Sequence, residues 1–133
     1  MVKAAFEETE RKDAAYALAH HAVSLRYEAL PQALVSLTKN CILDSLGVII
    51  AASTVAPEAR IVVDLVREQG GKEESTLLGF GGKAPALMAA FANGSMGHML
   101  DYDDLPGHLS ITAVPVAFAV AEKLDGASGR DLI

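Results

Sequence analysis

The segment 98–108 concentrates ionisable side chains at a spacing that can do chemistry. It contains three carboxylates and two imidazoles, and it reads His98-Met-Leu-Asp101-Tyr-Asp103-Asp104-Leu-Pro-Gly-His108. Strongly apolar stretches flank the segment on both sides. Proton transfer, metal binding and a solvated helix end without chemistry are the three interpretations of this cluster.

Proton transfer requires that the acids and imidazoles meet. If the helix before the cluster persists to residue 101, His98 and Asp101 are i,i+3 neighbours on one face. A partly buried acid at a helix C-terminus, near other acids, suits acid–base work near neutral pH. His108 follows a Pro-Gly turn and can fold back towards Asp101. This interpretation makes Asp101 and His108 the central pair.

Magnesium binding is the weaker alternative. Asp103-Asp104 is similar to the first aspartate-rich motif of the all-helical prenyl diphosphate synthases. That motif needs a further Asp where this chain has Gly107 and His108. Mg²⁺ prefers carboxylate oxygens, and one pair of them is a poor clamp for a diphosphate. We therefore predict no metal site.

The glycine-rich segment 79–84 superficially resembles a nucleotide-binding loop. It fits G-x-G-x-x-A after a short extended piece, residues 75–80. A dinucleotide site would need a second strand after the following helix, with an acid at its end. The chain instead continues into the acidic cluster and another apolar segment, so the glycines are predicted to form a turn.

Composition limits the class of protein. The 133 residues are 51% hydrophobic, 5% aromatic and lack Trp, which favours close-packed helices built from Ala, Leu, Val and Ile. A formal net charge of −6 argues against nucleic-acid binding. One cysteine, Cys41, excludes an internal disulfide. The N-terminus lacks an apolar signal core, and no run reaches the roughly 18 apolar residues of a membrane span, so we expect a cytoplasmic protein without membrane contact.

Apolar spacing predicts an all-α, helical bundle-like fold. Helices are expected over residues 13–29, 31–53, 57–69, 85–101 and 111–124. Asp44 lies among apolar residues of the second helix, either as a buried acid with a partner or on a polar face. Ser128 and Asp131 form a capping-box-like start just before the last residue, Ile133. Because a single turn is unstable alone, we expect the chain to be the first portion of a longer protein.

Several segments, in order along nearly the whole chain, resemble the N-terminal part of the MmgE/PrpD family. This family includes 2-methylcitrate dehydratase and cis-aconitate decarboxylase. The matching segments are Leu25-Arg-Tyr-Glu-Ala-Leu-Pro31, Leu43-Asp-Ser-Leu-Gly47, Pro57-Glu-Ala-Arg60, Ser75-Thr-Leu-Leu-Gly79, Ala92-Asn-Gly94, His98-Met-Leu-Asp-Tyr-Asp-Asp104, His108 with Pro115, and Gly126-Ala-Ser-Gly-Arg-Asp131.

The resemblance implies that residues 1–133 are the N-terminal part of a helical domain, with a smaller α+β domain following in full-length members. Such members are typically homodimers that act on small tricarboxylate-like acids without a metal, an iron–sulfur cluster or another cofactor. On the matching positions, Asp101 and His108 would be catalytic, and His98 and Asp104 would bind substrate or support the site. Leu105 stands where relatives often carry Thr. The catalytic Lys and later His of the family lie beyond residue 133.

Two functions follow from these observations. The first is a cofactor-independent lyase, by dehydration of the 2-methylcitrate dehydratase kind or decarboxylation of the cis-aconitate kind, in which this chain alone lacks a complete site. The chain shows no obvious cationic clamp for the carboxylates of such a substrate. The second is a non-catalytic helical interaction module, or degenerate paralogue, that pairs with a partner through the apolar surface of residues 111–121.

Overall fold

The computed structural model describes residues 13–102, 104 and 107–133, which divide into two units, Met1–Pro31 and Gln32–Ile133. In the first unit, helix α1 spans Ala14–Ser24 and a single 3-10 turn spans Tyr27–Ala29. The Asp13 side chain caps α1 by accepting a hydrogen bond from the Ala15 N–H at 2.9 Å. No residue of α1 is buried.

The helix expected over residues 13–29 is therefore interrupted. The helix ends at Ser24, and the next two residues, Leu25 and Arg26, are extended. The Arg26 guanidinium donates to the carbonyls of Val23 and Leu25 at 2.9 and 2.7 Å, which satisfies carbonyl groups at this helix end. Hydrophobic spacing carries no information on such bonds.

The second unit is predominantly helical and confirms the all-α, helical bundle-like prediction. Its elements are α2 (Gln32–Val55), α3 (Pro57–Gln69), β1 (Ser75–Thr76), β2 (Lys83–Ala84), α4 (Ala86–His98), α5 (Leu109–Lys123) and α6 (Gly129–Leu132). The two short strands pair antiparallel, with Ser75 opposite Ala84. The extended piece expected over residues 75–80 is thus limited to two residues.

Local chemistry explains where these helices begin and end. Pro57 is the first residue of α3, where its missing N–H would have no helical partner. Gly70 ends the same helix with a φ of +62°. At α6, the Ser128 hydroxyl and the Asp131 carboxylate cap each other's backbone, so the predicted capping box is confirmed.

Helix α4 lies at the centre of the core, in contact with α2, α3, α5 and both strands. Eleven buried apolar side chains form this core. They are Ile49, Ala52, Ala59, Val63, Val66, Leu77, Ala84, Ala89, Ala92, Met96 and Ile111. The short side chains of α4 let its neighbours approach closely, as its Ala and Gly content predicts.

Gly97 is the closest point of that approach. A Cβ atom built on Gly97 would overlap the side chain of Ile111 and lie 3.2 Å from the side chain of Ile49. A Cβ on Gly94, one turn earlier, would lie at an ordinary 3.9 Å from its nearest neighbours. The crossing of α4 and α5 therefore depends on the missing side chain at Gly97.

The strands are attached to the helices by buried polar bonds. Asn93, which is buried in α4, accepts from the Leu78 N–H at 3.0 Å and donates to the Thr76 carbonyl at 2.9 Å. The buried Ser75 hydroxyl donates to the Ala119 carbonyl of α5 at 2.6 Å. The two Asn93 bonds satisfy backbone groups at Thr76 and Leu78 that the short strands leave unpaired, and the Ser75 bond ties β1 to α5.

Helix α2 is long and apolar enough, by length and composition, to cross a membrane. Core helices of soluble proteins and signal sequences meet the same criterion; Ile49 and Ala52 of α2 belong to the core, and 22% of the apolar window is buried. Asp44 in the same helix is exposed, so the interpretation of a buried acid is wrong and the polar-face alternative holds. The buried position is its neighbour Ser45.

Candidate functional site

The end of α4 differs from the expected one. The helix stops at His98 rather than continuing to residue 101. The Asp101 N–H still bonds to the His98 carbonyl at 3.2 Å, but Asp101 has a φ of +53° in the left-handed region. His98 and Asp101 are therefore joined by a tight turn instead of sharing a helix face. Asp tolerates this conformation better than most residues, which periodicity alone does not reveal.

Asp104 organises the start of α5. Its carboxylate accepts hydrogen bonds from the Ser110 N–H and the Ser110 hydroxyl, both at 3.0 Å. Its carbonyl accepts from the His108 N–H, also at 3.0 Å. Because an acid near a helix N-terminus satisfies unpaired N–H groups and complements the helix dipole, Asp104 holds the backbone from which His108 projects.

His108 is the residue immediately before α5 and has a left-handed backbone, with φ +55° and ψ +43°. This conformation brings its ring to the end of α4. The His108 Nε2 lies 3.8 Å from the Asp101 Oδ1. The His98 and His108 ring centroids are 4.7 Å apart at 71°, an edge-to-face contact. We call these three residues, His98, Asp101 and His108, the junction cluster.

The junction cluster is open to solvent. The Asp101 side chain is 81% exposed, and that of His108 is 32% exposed. The expected partial burial of Asp101 is therefore wrong, because the left-handed turn directs its carboxylate outwards from the helix end. Left-handed backbone is not itself a mark of the site, since Asp125 adopts it in the turn after α5.

A groove of about 400 Å³ runs from the junction cluster between α4 and α5. His98 and His108 lie at its polar part, with Ser95 and Thr112 nearby, and Phe91 contributes an apolar wall. None of the described residues that line it is Lys or Arg. The arrangement offers an acid, two imidazoles and space for a small molecule beside them.

The magnesium interpretation rests on Asp103 and Asp104. Both oxygens of Asp104 accept hydrogen bonds from Ser110. Asp103, Leu105 and Pro106 lie outside the described residues. In this structure the Asp104 carboxylate orders the start of α5.

A second groove, of about 340 Å³, lies between α2, α5 and α6. Leu37, Ile42, Phe118 and Ile133 give it a mainly apolar lining, and the half-buried Cys41 lies in its wall. The residues of the junction cluster do not line it. This mainly apolar lining is suited to packing against apolar groups and not to proton transfer.

The comparison with protein families decides the identity. The model of the MmgE/PrpD N-terminal domain matches residues 16–133. The chain belongs to the MmgE/PrpD family. The predicted resemblance and its assignment to the N-terminal part are therefore confirmed. No curated protein and no solved structure gives a significant match.

The family match covers α2 to α6 and residues 16–31 of the first unit, so it includes the whole junction cluster. Sequence reasoning named all three residues of this cluster and Asp104, but it missed Ser110, the partner of Asp104. This partner could have been found from the sequence, because Ser110 lies in the first turn of α5, where a backbone N–H needs an acceptor from outside the helix. The groove wall at Phe91 and Ser95 had no such signal, because it exists only where two helices pack.

Proposed function

We propose that this MmgE/PrpD chain supplies acid–base side chains to a cofactor-independent lyase that acts on small tricarboxylate-like acids. The observation that carries the proposal is the 3.8 Å approach of the Asp101 carboxylate to the imidazole of His108, a residue that lines a groove. A carboxylate beside an imidazole supplies the two kinds of side chain that most often act as general acid and base in such a reaction. Family membership supports the same class of chemistry.

Two related reactions fit these side chains. In dehydration, a base removes a C–H proton next to a carboxylate, the electron pair forms a double bond, and the hydroxyl leaves as water after protonation. In decarboxylation, a carbon–carbon bond breaks, carbon dioxide leaves, and the electron pair on carbon takes a proton. In both reactions, we assign proton transfer to Asp101 and His108, with His98 and Asp104 binding substrate or supporting the site.

The wider setting is part of the same proposal. The substrate is a small carboxylate such as 2-methylcitrate or cis-aconitate, and the cationic groups that bind its carboxylates lie outside the described segment. The active form is a cytoplasmic homodimer that involves neither nucleic acid nor membrane. The net charge of −6 supports the exclusion of nucleic acid.

The test is a pair of substitutions in the full-length protein. Asp101→Asn or His108→Ala should lower turnover of a tricarboxylate substrate by about 10²-fold or more, since general acid–base groups contribute on that scale. The matched control is His21→Ala, at an exposed position of α1. Circular dichroism should show an unchanged fold in all three variants. Near-normal turnover in both site variants would reject the assignment.

A non-catalytic helical module is the second candidate, and one observation favours it. Val116 and Val120 of α5 are about half exposed, and Leu109 and Leu124 at its ends are more exposed still. Exposed apolar surface of this kind is typical of partner binding. A module predicts a stably folded, defined oligomer of the 133-residue chain, which the lyase proposal does not require. Thermal melting with light scattering separates the two.

A further inference from the structure

We propose that the junction cluster binds a divalent transition-metal ion of the zinc class. His98, Asp101 and His108 each offer one ligand atom, and these three atoms all lie within 4.8 Å of one another. The residues come from two different helix ends that the fold brings together. The inference does not depend on the proposed lyase activity, because ion binding is measured without turnover.

The separation of the atoms is close to what an ion requires. Tetrahedral ligands about 2.1 Å from a zinc ion lie about 3.4 Å from one another. His108 Nε2 and Asp101 Oδ1 are already 3.8 Å apart. A pair of ligand atoms at the 4.8 Å limit must close by about 1.4 Å to reach that geometry. Asp101 can supply the part of this movement that involves its own carboxylate, because its side chain is 81% exposed.

The backbone favours convergence of the ligands. Asp101 lies in the tight turn after α4 and His108 directly precedes α5, and their side chains approach to 3.8 Å. Asp104 fixes the His108 end through its bonds to Ser110 and to the His108 N–H. Outer contacts of this kind hold a ligand in position before the ion arrives.

The ligand types select the ion. Two imidazole nitrogens and one carboxylate oxygen suit Zn²⁺, Co²⁺ or Ni²⁺, whereas Mg²⁺ prefers a set made of oxygens. Three protein ligands leave a fourth position open to water or to a carboxylate in the adjoining groove. Because the ion would occupy Asp101 and His108 together, binding would compete with their use in proton transfer.

The experiment is titration of the protein with Zn²⁺ by calorimetry and with Co²⁺ by visible absorption, in a Cys41→Ser background that removes the single thiol. We expect one ion per chain. His98→Ala and Asp101→Asn should each weaken binding tenfold or more, since loss of even an outer-shell contact typically costs 10- to 100-fold. Excess Mg²⁺ should leave the Co²⁺ spectrum unchanged.

The matched control is the double variant His20→Ala/His21→Ala, because the chain has four histidines and this variant removes the two outside the cluster. It should bind Zn²⁺ as tightly as the parent. Unchanged affinity in both His98→Ala and Asp101→Asn, loss of binding in the control, or absence of saturable Zn²⁺ binding by the parent overturns the proposal. Displacement of Co²⁺ by Mg²⁺ also overturns it, because the site would then be a hard-cation site.

Discussion

The two ends of α5 both carry clustered charge, but the charges are used differently. At its C-terminal end, Glu122 accepts from the Thr76 N–H at 2.5 Å and from the Thr76 hydroxyl at 2.6 Å. Lys83 lies 3.8 Å from the same carboxylate. At the N-terminal end, the Asp101 carboxylate lies at a longer 3.8 Å from His108 and is mostly exposed.

The contacts at the C-terminal end of α5 lower the pKa values of two carboxylates, Glu122 and Glu74. Burial raises the pKa of Glu122, but hydrogen bonds from Thr76 and the charge of Lys83 outweigh it, and the pKa falls below its ordinary value. The pKa of Glu74 is also lowered, first by a hydrogen bond from the Ala86 N–H and then by Lys123 and Lys72. These carboxylates hold the hairpin against the helices.

The comparison teaches how to distinguish structural charge from charge available for chemistry. The carboxylate of Glu122 is held by short hydrogen bonds to another element, whereas that of Asp101 faces solvent beside two imidazoles and a groove. The sequence alone shows the cluster 98–108, because its ionisable residues are close together along the chain. It does not show the contact between Glu122 and Thr76, which are 46 residues apart.

The largest expected effect comes from Gly97, which sets the helix approach at the N-terminal end. Gly97→Ala should lower the free energy of unfolding by about 2–3 kcal/mol, because the new methyl group overlaps Ile111 in a packed core. The matched control, Gly94→Ala, should be neutral or stabilise by up to about 1 kcal/mol through helix propensity. Urea denaturation measures both variants. Equal stabilities would mean that the close crossing is not required.

A smaller effect on stability is expected when one carboxylate at each end of α5 is replaced by its amide. Glu122→Gln should cost about 1–2 kcal/mol of stability, since an amide cannot accept both Thr76 bonds and does not attract Lys83. Asp101→Asn should change stability by about 0.5 kcal/mol or less, because its side chain is exposed and Asn tolerates left-handed backbone. A greater loss in Asp101→Asn than in Glu122→Gln would reverse the comparison.

The smallest effect is a difference in acid sensitivity. The pKa values of Glu74 and Glu122 are lowered from an ordinary 4.5 in the folded protein. Their stabilising contribution is therefore complete above that pH and is lost as the pH falls through the lower folded values. Stability measured between pH 7 and pH 3 should fall less steeply in Glu122→Gln than in the parent. Parallel profiles would show that Glu122 does not contribute.

The fold class was predictable from the sequence because its causes are local. Apolar spacing located α2 to α5, Pro57 and Gly70 marked the ends of α3, and the pair Ser128 and Asp131 marked the start of α6. The predictions failed at helix ends, where contacts other than apolar spacing decide the course of the backbone. The first predicted helix ends at Ser24, and the left-handed turn at Asp101 lies beyond the early end of α4.

The candidate site was only partly predictable for the same reason. Residue types identified Asp101 and His108, and segment order along the chain identified the MmgE/PrpD family, which the family model confirms. The partner of Asp104, the exposure of Asp101 and the contact between the His98 and His108 rings required the folded chain. Their catalytic roles remain predictions for the substitutions described above.

By itself, the sequence determined which helices form and which ionisable groups lie near one another along the chain, because capping and apolar periodicity act over a few residues. Only the tertiary structure decided which of those groups meet. The absent side chain at Gly97 lets α4 and α5 cross closely, and Asp104 sets the start of α5. His108 is thereby brought into contact with Asp101 and His98, beside the groove between α4 and α5. This contact depends on packing between helices, which local sequence patterns do not predict.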